Sequence, residues 1–208
     1  MRILIVGGSG TVGQAAAKEL AKRHEIVRAG RSSGDLTVDV MNEDSVKAMY
    51  AKLGKVDAIV TCVGHVHFGP VATMTTEQFR KGLNDKLMGQ VNLVLLGMDN
   101  MNDNGSFTLT SGVLDRDPVR AGANAAAVNG AIGAFVKGAA IEMPRGIRIN
   151  AVSPGLLEES VAKYDGFFPG HEPVSAARVG LAYAKSVDGA LTGQVISVGL
   201  LPNRSEHC

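Results

Sequence analysis

The first thirteen residues constrain this chain most strongly. An apolar run, Ile3 to Val6, stops at a glycine-rich stretch that reads Gly7-Gly8-Ser9-Gly10-Thr11-Val12-Gly13. This order predicts a buried strand, a tight turn and the start of a helix. Residues 8–13 match the G-x-G-x-x-G pattern, in which glycines let the backbone approach a pyrophosphate and a helix N-terminus faces that anion. We therefore expect a dinucleotide site here, and the alternative is a plain glycine-rich turn.

Strand-like and helix-like segments alternate along the 208 residues. Strands are predicted at residues 3–6, 25–29, 56–60, 107–110, 147–152 and 194–198. Helices are predicted at residues 11–22, 43–53 (capped by Asn42), 76–98, 124–143 and after Pro173. Such alternation indicates an α/β fold, with a doubly wound parallel sheet of about seven strands and helices on both faces. We expect one domain spanning residues 1–208, with ligands at the carboxyl ends of the strands.

The composition narrows the classes of function. The chain is 45% hydrophobic and 20% charged, with a formal net charge of +1. We expect no nucleic-acid partner and no membrane contact, since no apolar run reaches the roughly 18 residues of a membrane span. The chain begins directly with a strand, so we expect no signal peptide. Cys62 and Cys208 form no disulfide framework, which favours a cytoplasmic location, and clustered metal ligands are absent from the sequence.

The end of the second predicted strand indicates which dinucleotide is bound. Enzymes selective for NAD usually carry an acidic residue there, which holds the ribose 2′-hydroxyl. Here the sequence is Gly30-Arg31-Ser32-Ser33. A guanidinium binds phosphate bidentately, so this stretch favours NADP with its 2′-phosphate. The alternative is that Arg31 is a solvated surface charge.

Several motifs resemble those of the short-chain dehydrogenase/reductase family. They are Val38-Asp39-Val40, Cys62-Val63-Gly64, the run from Gly146 to Gly155 that ends in Ser153-Pro154-Gly155, and Thr192-Gly193-Gln194-Val195. The resemblance implies that Asp39 and Val40 lie at the adenine, that Val63 and Gly64 form a turn beside the cofactor, and that Pro154 and Gly155 close on the nicotinamide. The family's middle glycine falls on Thr11, as in divergent members.

The catalytic residues of the family are only partly present. Its members use a Ser-Tyr-Lys set assisted by an Asn. Ser111 matches the serine, which would hold a carbonyl oxygen, whereas the tyrosine and lysine positions fall on Ala125 and Asn129. In the other register these positions fall on Asn124 and Val128. The Tyr-x-x-x-Lys pair is missing in either case.

Lys86 stands where the family has its asparagine. Relative to the family pattern, lysine and asparagine are therefore exchanged between two helices, with Asn129 in the lysine's place. We hypothesise that the Lys86 ammonium returns to that place, beside Asn129, and that burial lowers its pKa enough for proton donation near neutral pH. The alternative is that both are ordinary polar residues of amphipathic helices.

Other residues are weaker candidates for a proton donor. His65 and His67 follow the third predicted strand, and Tyr164 lies in the irregular stretch 156–173, which we interpret as a lid over the site. Asp115 and Asp117 follow Ser111, but they are expected to cap or solvate the loop.

Two functions remain open from the sequence. One is an NADP(H)-dependent oxidoreductase acting on a small carbonyl, alcohol or imine, with Ser111, Lys86 and Asn129 as an atypical catalytic set. The other is a non-catalytic NADP(H)-binding sensor or scaffold of the same fold. The resemblance also implies a homodimer or homotetramer built from the two long helices, with Ala131, Gly133 and Ala134 permitting close packing.

Overall fold

The computed structural model describes residues 1–164 and 166–199; Cys208 lies outside these ranges. In this part of the chain, seven strands form one parallel sheet in the order β3-β2-β1-β4-β5-β6-β7. The strands are β1 (Arg2–Val6), β2 (Glu25–Gly30), β3 (Leu36–Thr37), β4 (Val56–Thr61), β5 (Met101–Thr110), β6 (Arg148–Pro154) and β7 (Val195–Val198). The order reverses between β1 and β4, so this sheet has its switch point there.

Six α-helices connect the strands of the described chain. They are α1 (Thr11–Leu20), α2 (Glu43–Leu53), α3 (Thr76–Gly82), α4 (Gly89–Gly97), α5 (Ala123–Ala139) and α6 (Ala176–Asp188). Asn42 caps α2 by accepting hydrogen bonds from the backbone N–H groups of Asp44 and Ser45. Thr75 and Gln78 form a capping box at the start of α3, which satisfies backbone donors that the first turn leaves free.

Both faces of the sheet are buried, and β1 shows how. Leu4 and Val6 belong to the core packed under α2, α4 and α5. Ile3 and Ile5 point the other way, into the core under α1 and α6. Side chains alternate between faces along a strand, so a strand covered on both sides is continuously apolar. The doubly wound α/β fold expected from the sequence is confirmed.

The structure also differs from the predicted elements. The edge strand β3 has only two residues and was not predicted, because two residues carry no periodicity. The predicted helix 76–98 is divided by a π-helical segment, Leu83–Met88. The stretch expected to be irregular contains a 3₁₀ helix, Glu158–Tyr164. Within residues 1–164 and 166–199, no helix combines the length and apolarity needed to cross a bilayer.

Candidate active site

The turn after β1 is built on close backbone contacts at two glycines. Gly7 has φ +83°, and a Cβ on it would lie 2.4 Å from the carbonyl oxygen of Cys62. A Cβ on Gly13 would lie 2.1 Å from the carbonyl oxygen of Gly7. Side chains at these positions would push the turn away from β4 and from α1. The tight turn is therefore made by Gly7, one residue before the pattern that the sequence indicated.

The N-terminus of α1 is open at this turn. Gly10 is its N-cap, and no side chain of the described residues caps it. The first helical bond runs from Gln14 N to Gly10 O (2.8 Å), so the N–H groups of Thr11, Val12 and Gly13 make no bond within the helix and can face an anion. Ser9 and Thr11 are exposed on either side.

A cavity of about 310 Å³ extends from this turn along the switch point. Its lining includes Gly7, Ser9, Gly10, Arg31, Val38, Val40, Val63 and Gly64. The side chain of Arg31 is 63% exposed at the rim, where Nη2 lies 3.9 Å from Oδ1 of Asp39. Ser32 is exposed next to it, and Gly8 and Val12 flank the turn. The open helix terminus, an apolar base slot and an exposed guanidinium fit a dinucleotide that carries an extra phosphate.

Lys86 lies on the π-helical segment, opposite the end of β4. Gly64, with φ +107°, permits this approach, because a Cβ there would lie 2.3 Å from Cα of Lys86. The half-buried Lys86 amine donates hydrogen bonds to Asn129 Oδ1 (2.7 Å) and to the carbonyl oxygen of Ser111 (2.8 Å). The amine thus lies beside Asn129.

Burial lowers the pKa of Lys86 to about 8, and the nearby carboxylate of Asp115 opposes this shift. An ammonium group has three N–H donors, and two of them are used by Asn129 and Ser111. The third is available to a ligand in the adjoining cavity. Lys86 therefore combines a charged form at neutral pH, a lowered pKa and a free donor.

The lowered pKa of Lys86 also predicts how the stability of the protein depends on pH. Below about pH 8, Lys86 holds its proton in both the folded and the unfolded chain. Between about pH 8 and its ordinary pKa of 10.5, only the unfolded chain keeps the proton, so the free energy of unfolding rises with pH. Relative to Lys86→Met, we expect the wild type to gain at most about 3 kcal/mol across this range. Denaturant unfolding of both proteins at several pH values measures the gain.

The comparison with Lys86→Met is needed because other groups titrate in the same range. Burial raises the pKa of Cys62 to about 11 and raises that of Tyr183, which lowers stability in alkali in both proteins alike. Parallel stability curves for the wild type and Lys86→Met would contradict the lowered pKa of Lys86.

Ser111 lies behind Lys86 and Asn129. It is 2% exposed, and its hydroxyl lies 2.9 Å from the carbonyl oxygen of Asn129 and 3.1 Å from Oδ2 of Asp115. The Ser111 hydroxyl is therefore poorly placed to donate to a substrate oxygen, the role that the sequence predicted for it. Its one hydroxyl proton already has two internal acceptors.

Sequence reasoning missed a buried polar cluster next to Ser111. Asp115 Oδ1 accepts a hydrogen bond from Nη1 of Arg116 (3.0 Å), and Arg116 also donates to the hydroxyl of Ser153 at the end of β6. The side chains of Asp115 and Arg116 are only 12% and 17% exposed. Asp115 was expected to cap or solvate its loop. The one available signal was its position four residues after a strand-end serine.

A second cavity, of about 200 Å³, adjoins Lys86 and is largely apolar. Lys86, Asn129, Ala125, Pro154 and Gly155 are among its lining residues. The rest of its lining is formed mainly by Val12, Val66, Phe68, Val113, Leu114, Leu156, Leu157, Tyr164 and Phe168.

The structure decides which register of α5 faces this cavity. Ala125 and Asn129 line it, whereas Asn124 is turned away and fully buried. Asn124 accepts a hydrogen bond from the backbone N–H of His67 (2.8 Å) and donates one to the carbonyl of Phe79 (2.7 Å). The first register, with Ala125 and Asn129, is thus the one that meets Lys86.

The remaining candidate donors lie at different places. Tyr164 lines the apolar cavity, with its ring centroid 6.0 Å from that of Phe68. His65 is 85% exposed and lies 2.9 Å from a carboxylate oxygen of Asp85. Asp117 lies 3.1 Å from His171. Among the described residues, His, Cys, Asp and Glu do not gather into a group of three that could hold a metal ion.

Comparison with known proteins identifies the family. The model of the family described as enoyl-(acyl carrier protein) reductase matches residues 7–184. The chain belongs to the short-chain dehydrogenase/reductase family. Among solved structures of this fold, the protein lin1944 from Listeria innocua is 55% identical, with a TM-score of 0.94, and the match covers 95% of this chain and 99% of that one.

Two further relatives extend the comparison. A small-chain dehydrogenase solved in complex with NADPH is 28% identical, with a TM-score of 0.84, and 96% of each chain is covered. The Arabidopsis thaliana protein named glucose and ribitol dehydrogenase homolog 2 is 24% identical over 146 residues. That match covers 67% of this chain and spans 50% of the plant protein's length.

Proposed function

We propose that this short-chain dehydrogenase/reductase is an NADP(H)-dependent oxidoreductase that reduces a small carbonyl or imine, or oxidises the corresponding alcohol or amine. The observation that carries the proposal is the Lys86 amine, held by Asn129 and Ser111 with one N–H left for the apolar cavity. A lysine in this position can supply the proton that the family's tyrosine normally supplies.

The choice of NADP(H) is supported by residues at both ends of the first cavity. The open N-terminus of α1 suits the pyrophosphate, and the exposed guanidinium of Arg31, next to Ser32, suits a 2′-phosphate. Asp39 and Val40 border the expected adenine position, and Pro154 and Gly155 border the second cavity. A relative of this chain was solved with NADPH, which supports the same cofactor here.

The chain's own part in the reaction is to place a proton and to exclude water. The nicotinamide supplies hydride to the carbonyl carbon when the cofactor is bound. Lys86 gives one ammonium proton to the carbonyl oxygen as the C=O π bond breaks, and its neutral amine then takes a proton from solvent. Asn129 orients Lys86 through its side-chain oxygen, and Ser111 does so through its carbonyl oxygen. In this proposal Ser111 positions Lys86 and does not bind substrate.

The apolar lining favours substrates without charged groups. Eleven of the sixteen residues around the second cavity carry aliphatic or aromatic side chains, and Lys86 is its one charged member within the described chain. A carboxylate or phosphate on the substrate would therefore compete with the reacting carbonyl oxygen for Lys86. We expect aliphatic or aromatic aldehydes, ketones and imines to be better substrates than sugar acids or phosphates.

Two observations favour the non-catalytic alternative. The Ser111 hydroxyl is committed to internal partners, and Ala125 stands where the family tyrosine belongs. A protein that only senses NADP(H) could tolerate both. Oxidation of NADPH, followed by its absorbance, with a panel of uncharged aldehydes, ketones and imines separates the two functions. Tight NADPH binding with no turnover across the whole panel would favour the sensor.

Arg31→Ala should change the choice of cofactor. A charge-assisted contact to the 2′-phosphate is worth about 1.5–3 kcal/mol, so we expect NADPH affinity to fall by roughly ten- to hundredfold. NADH lacks that phosphate and serves as the matched control ligand, with its affinity unchanged within about twofold. Fluorescence titration measures both constants. Equal weakening of NADPH and NADH would show that Arg31 acts on the fold of the cavity instead.

Association into a homodimer or homotetramer and a cytoplasmic location stay predictions. Gly133 packs towards Val195 of its own sheet, whereas Ala134 is exposed on α5. Leu95 of α4 is 60% exposed, which provides an apolar contact for a second copy. These exposed positions support self-association through α4 and α5.

A further inference from the structure

The buried polar cluster next to Ser111 contains charged groups that act on the proton affinity of Lys86. Ser111 contacts both sides, because its carbonyl oxygen accepts from Lys86 (2.8 Å) and its hydroxyl lies 3.1 Å from Asp115. Asp115 in turn contacts Arg116 at 3.0 Å and lies within 3.4 Å of the Ser153 hydroxyl. One carboxylate thus lies between two cations, one of which is the proposed proton donor.

Within residues 1–164 and 166–199, three further elements place polar groups near Lys86. Asp85, on the same π-helical segment, is paired with His65 and lines the cofactor cavity. From α5, Asn129 presents a neutral amide, and from the 3₁₀ helix of residues 158–164 the residues that line the cavity are Ser160 and Tyr164, which carry hydroxyls. Asp115, which follows β5 in the chain, is therefore the carboxylate that stabilises the charged form of Lys86.

We propose that Asp115 is a positioning residue that fixes Ser111 against Lys86 and keeps the lysine charged, while Arg116 limits how strongly it does so. This inference rests on the proposed function only for its effect on turnover. Independently of turnover, Asp115 raises the proton affinity of Lys86 and Arg116 lowers it. A carboxylate stabilises a nearby ammonium, and a guanidinium beside that carboxylate weakens the effect.

Two substitutions separate this role from simple support of the fold. Asp115→Asn keeps the shape and the acceptor oxygen but removes the negative charge, so Lys86 should lose its proton at lower pH. Arg116→Gln leaves Asp115 without its cation, so Lys86 should keep its proton to higher pH. A purely structural role would shift both variants in the same direction. Asp117→Asn, two residues further along and paired with His171, is the matched control and should leave Lys86 unchanged.

The proton affinity of Lys86 can be measured without any substrate. Only the neutral amine reacts with a small acylating reagent, and mass spectrometry of the Lys86 peptide gives the labelling rate against pH. At pH 7 we expect labelling of Lys86 to be about fivefold faster in Asp115→Asn and several-fold slower in Arg116→Gln than in the wild type. Shifts of equal sign, or no shift in either variant, would overturn the inference. If Asp115→Asn does not fold, Arg116→Gln still decides it.

Turnover then tests the link to catalysis separately. The pH above which kcat/KM for reduction declines should move down in Asp115→Asn and up in Arg116→Gln, in step with the labelling curve. If labelling shifts as expected and the kinetic profile does not follow, Asp115 controls Lys86 but Lys86 is not the acid. That result would refute the proposed role of Lys86 as proton donor and leave the present inference standing.

Discussion

Lys86→Met should lower kcat for carbonyl reduction by roughly two to four orders of magnitude, the usual contribution of a positioned general acid. Methionine keeps the length of the apolar stem, which packs between Gly64 and Asn129, but it removes all three N–H donors. The Asn129 side-chain oxygen and the Ser111 carbonyl then lose their common partner. Steady-state kinetics with the best substrate of the panel, together with an NADPH titration, measure the effect.

The design of this experiment separates catalysis from cofactor binding. We expect kcat to fall while the NADPH dissociation constant stays within about threefold, since the phosphates and adenine are held by other residues. Lys81→Met, five residues earlier and exposed on α3, is the matched control and should retain wild-type kinetics. Retained activity in Lys86→Met would transfer the role of acid to another group in the cavity, for which Tyr164, a lining residue, is the candidate.

Gly13→Ala should abolish effective cofactor binding. The Cβ of the new alanine would lie 2.1 Å from Gly7 O and 2.8 Å from Cα of Gly8, and both are backbone atoms that cannot rotate away. The turn must therefore shift, and the N–H groups of α1 move away from the pyrophosphate. Loss of two charge-assisted bonds corresponds to a roughly hundredfold or greater rise in the NADPH dissociation constant. The overpacking should also lower the free energy of unfolding by about 1–3 kcal/mol.

A second glycine in a helix provides the control for Gly13→Ala. A Cβ on Gly138, in α5, meets nothing within 4 Å. Gly138→Ala should leave NADPH binding unchanged and raise stability by about 0.5–1 kcal/mol, because alanine is favoured over glycine inside a helix. Fluorescence titration and thermal melting of both variants make the comparison. NADPH binding that survives in Gly13→Ala would rule out a cofactor site at this turn.

Much of the fold followed from local patterns in the sequence. The apolar run of β1 is continuous because α-helices cover both faces of the sheet, and the glycines after it mark the point where the chain turns. Asn42 capped its helix as expected. The two-residue strand β3 escaped prediction because pairing with β2, and not its own periodicity, makes it a strand. The π-helical segment escaped because one extra residue in a turn leaves no mark in an apolar pattern.

Some features of the candidate site also follow from local sequence, whereas others depend on tertiary packing. The sequence by itself determined the glycine-rich turn after β1, the arginine after β2 and the absence of the Tyr-x-x-x-Lys pair, since each depends on residue type at a strand end or on a helix. Only the tertiary structure decided that α5 presents Ala125 and Asn129 to the cavity, and that the Lys86 amine reaches Asn129 across 43 positions of sequence. It also gathered Ser111, Asp115, Arg116 and Ser153 into one buried cluster. Hydrogen bonds between elements distant in sequence depend on how helices and strands pack, and a linear pattern does not encode that packing.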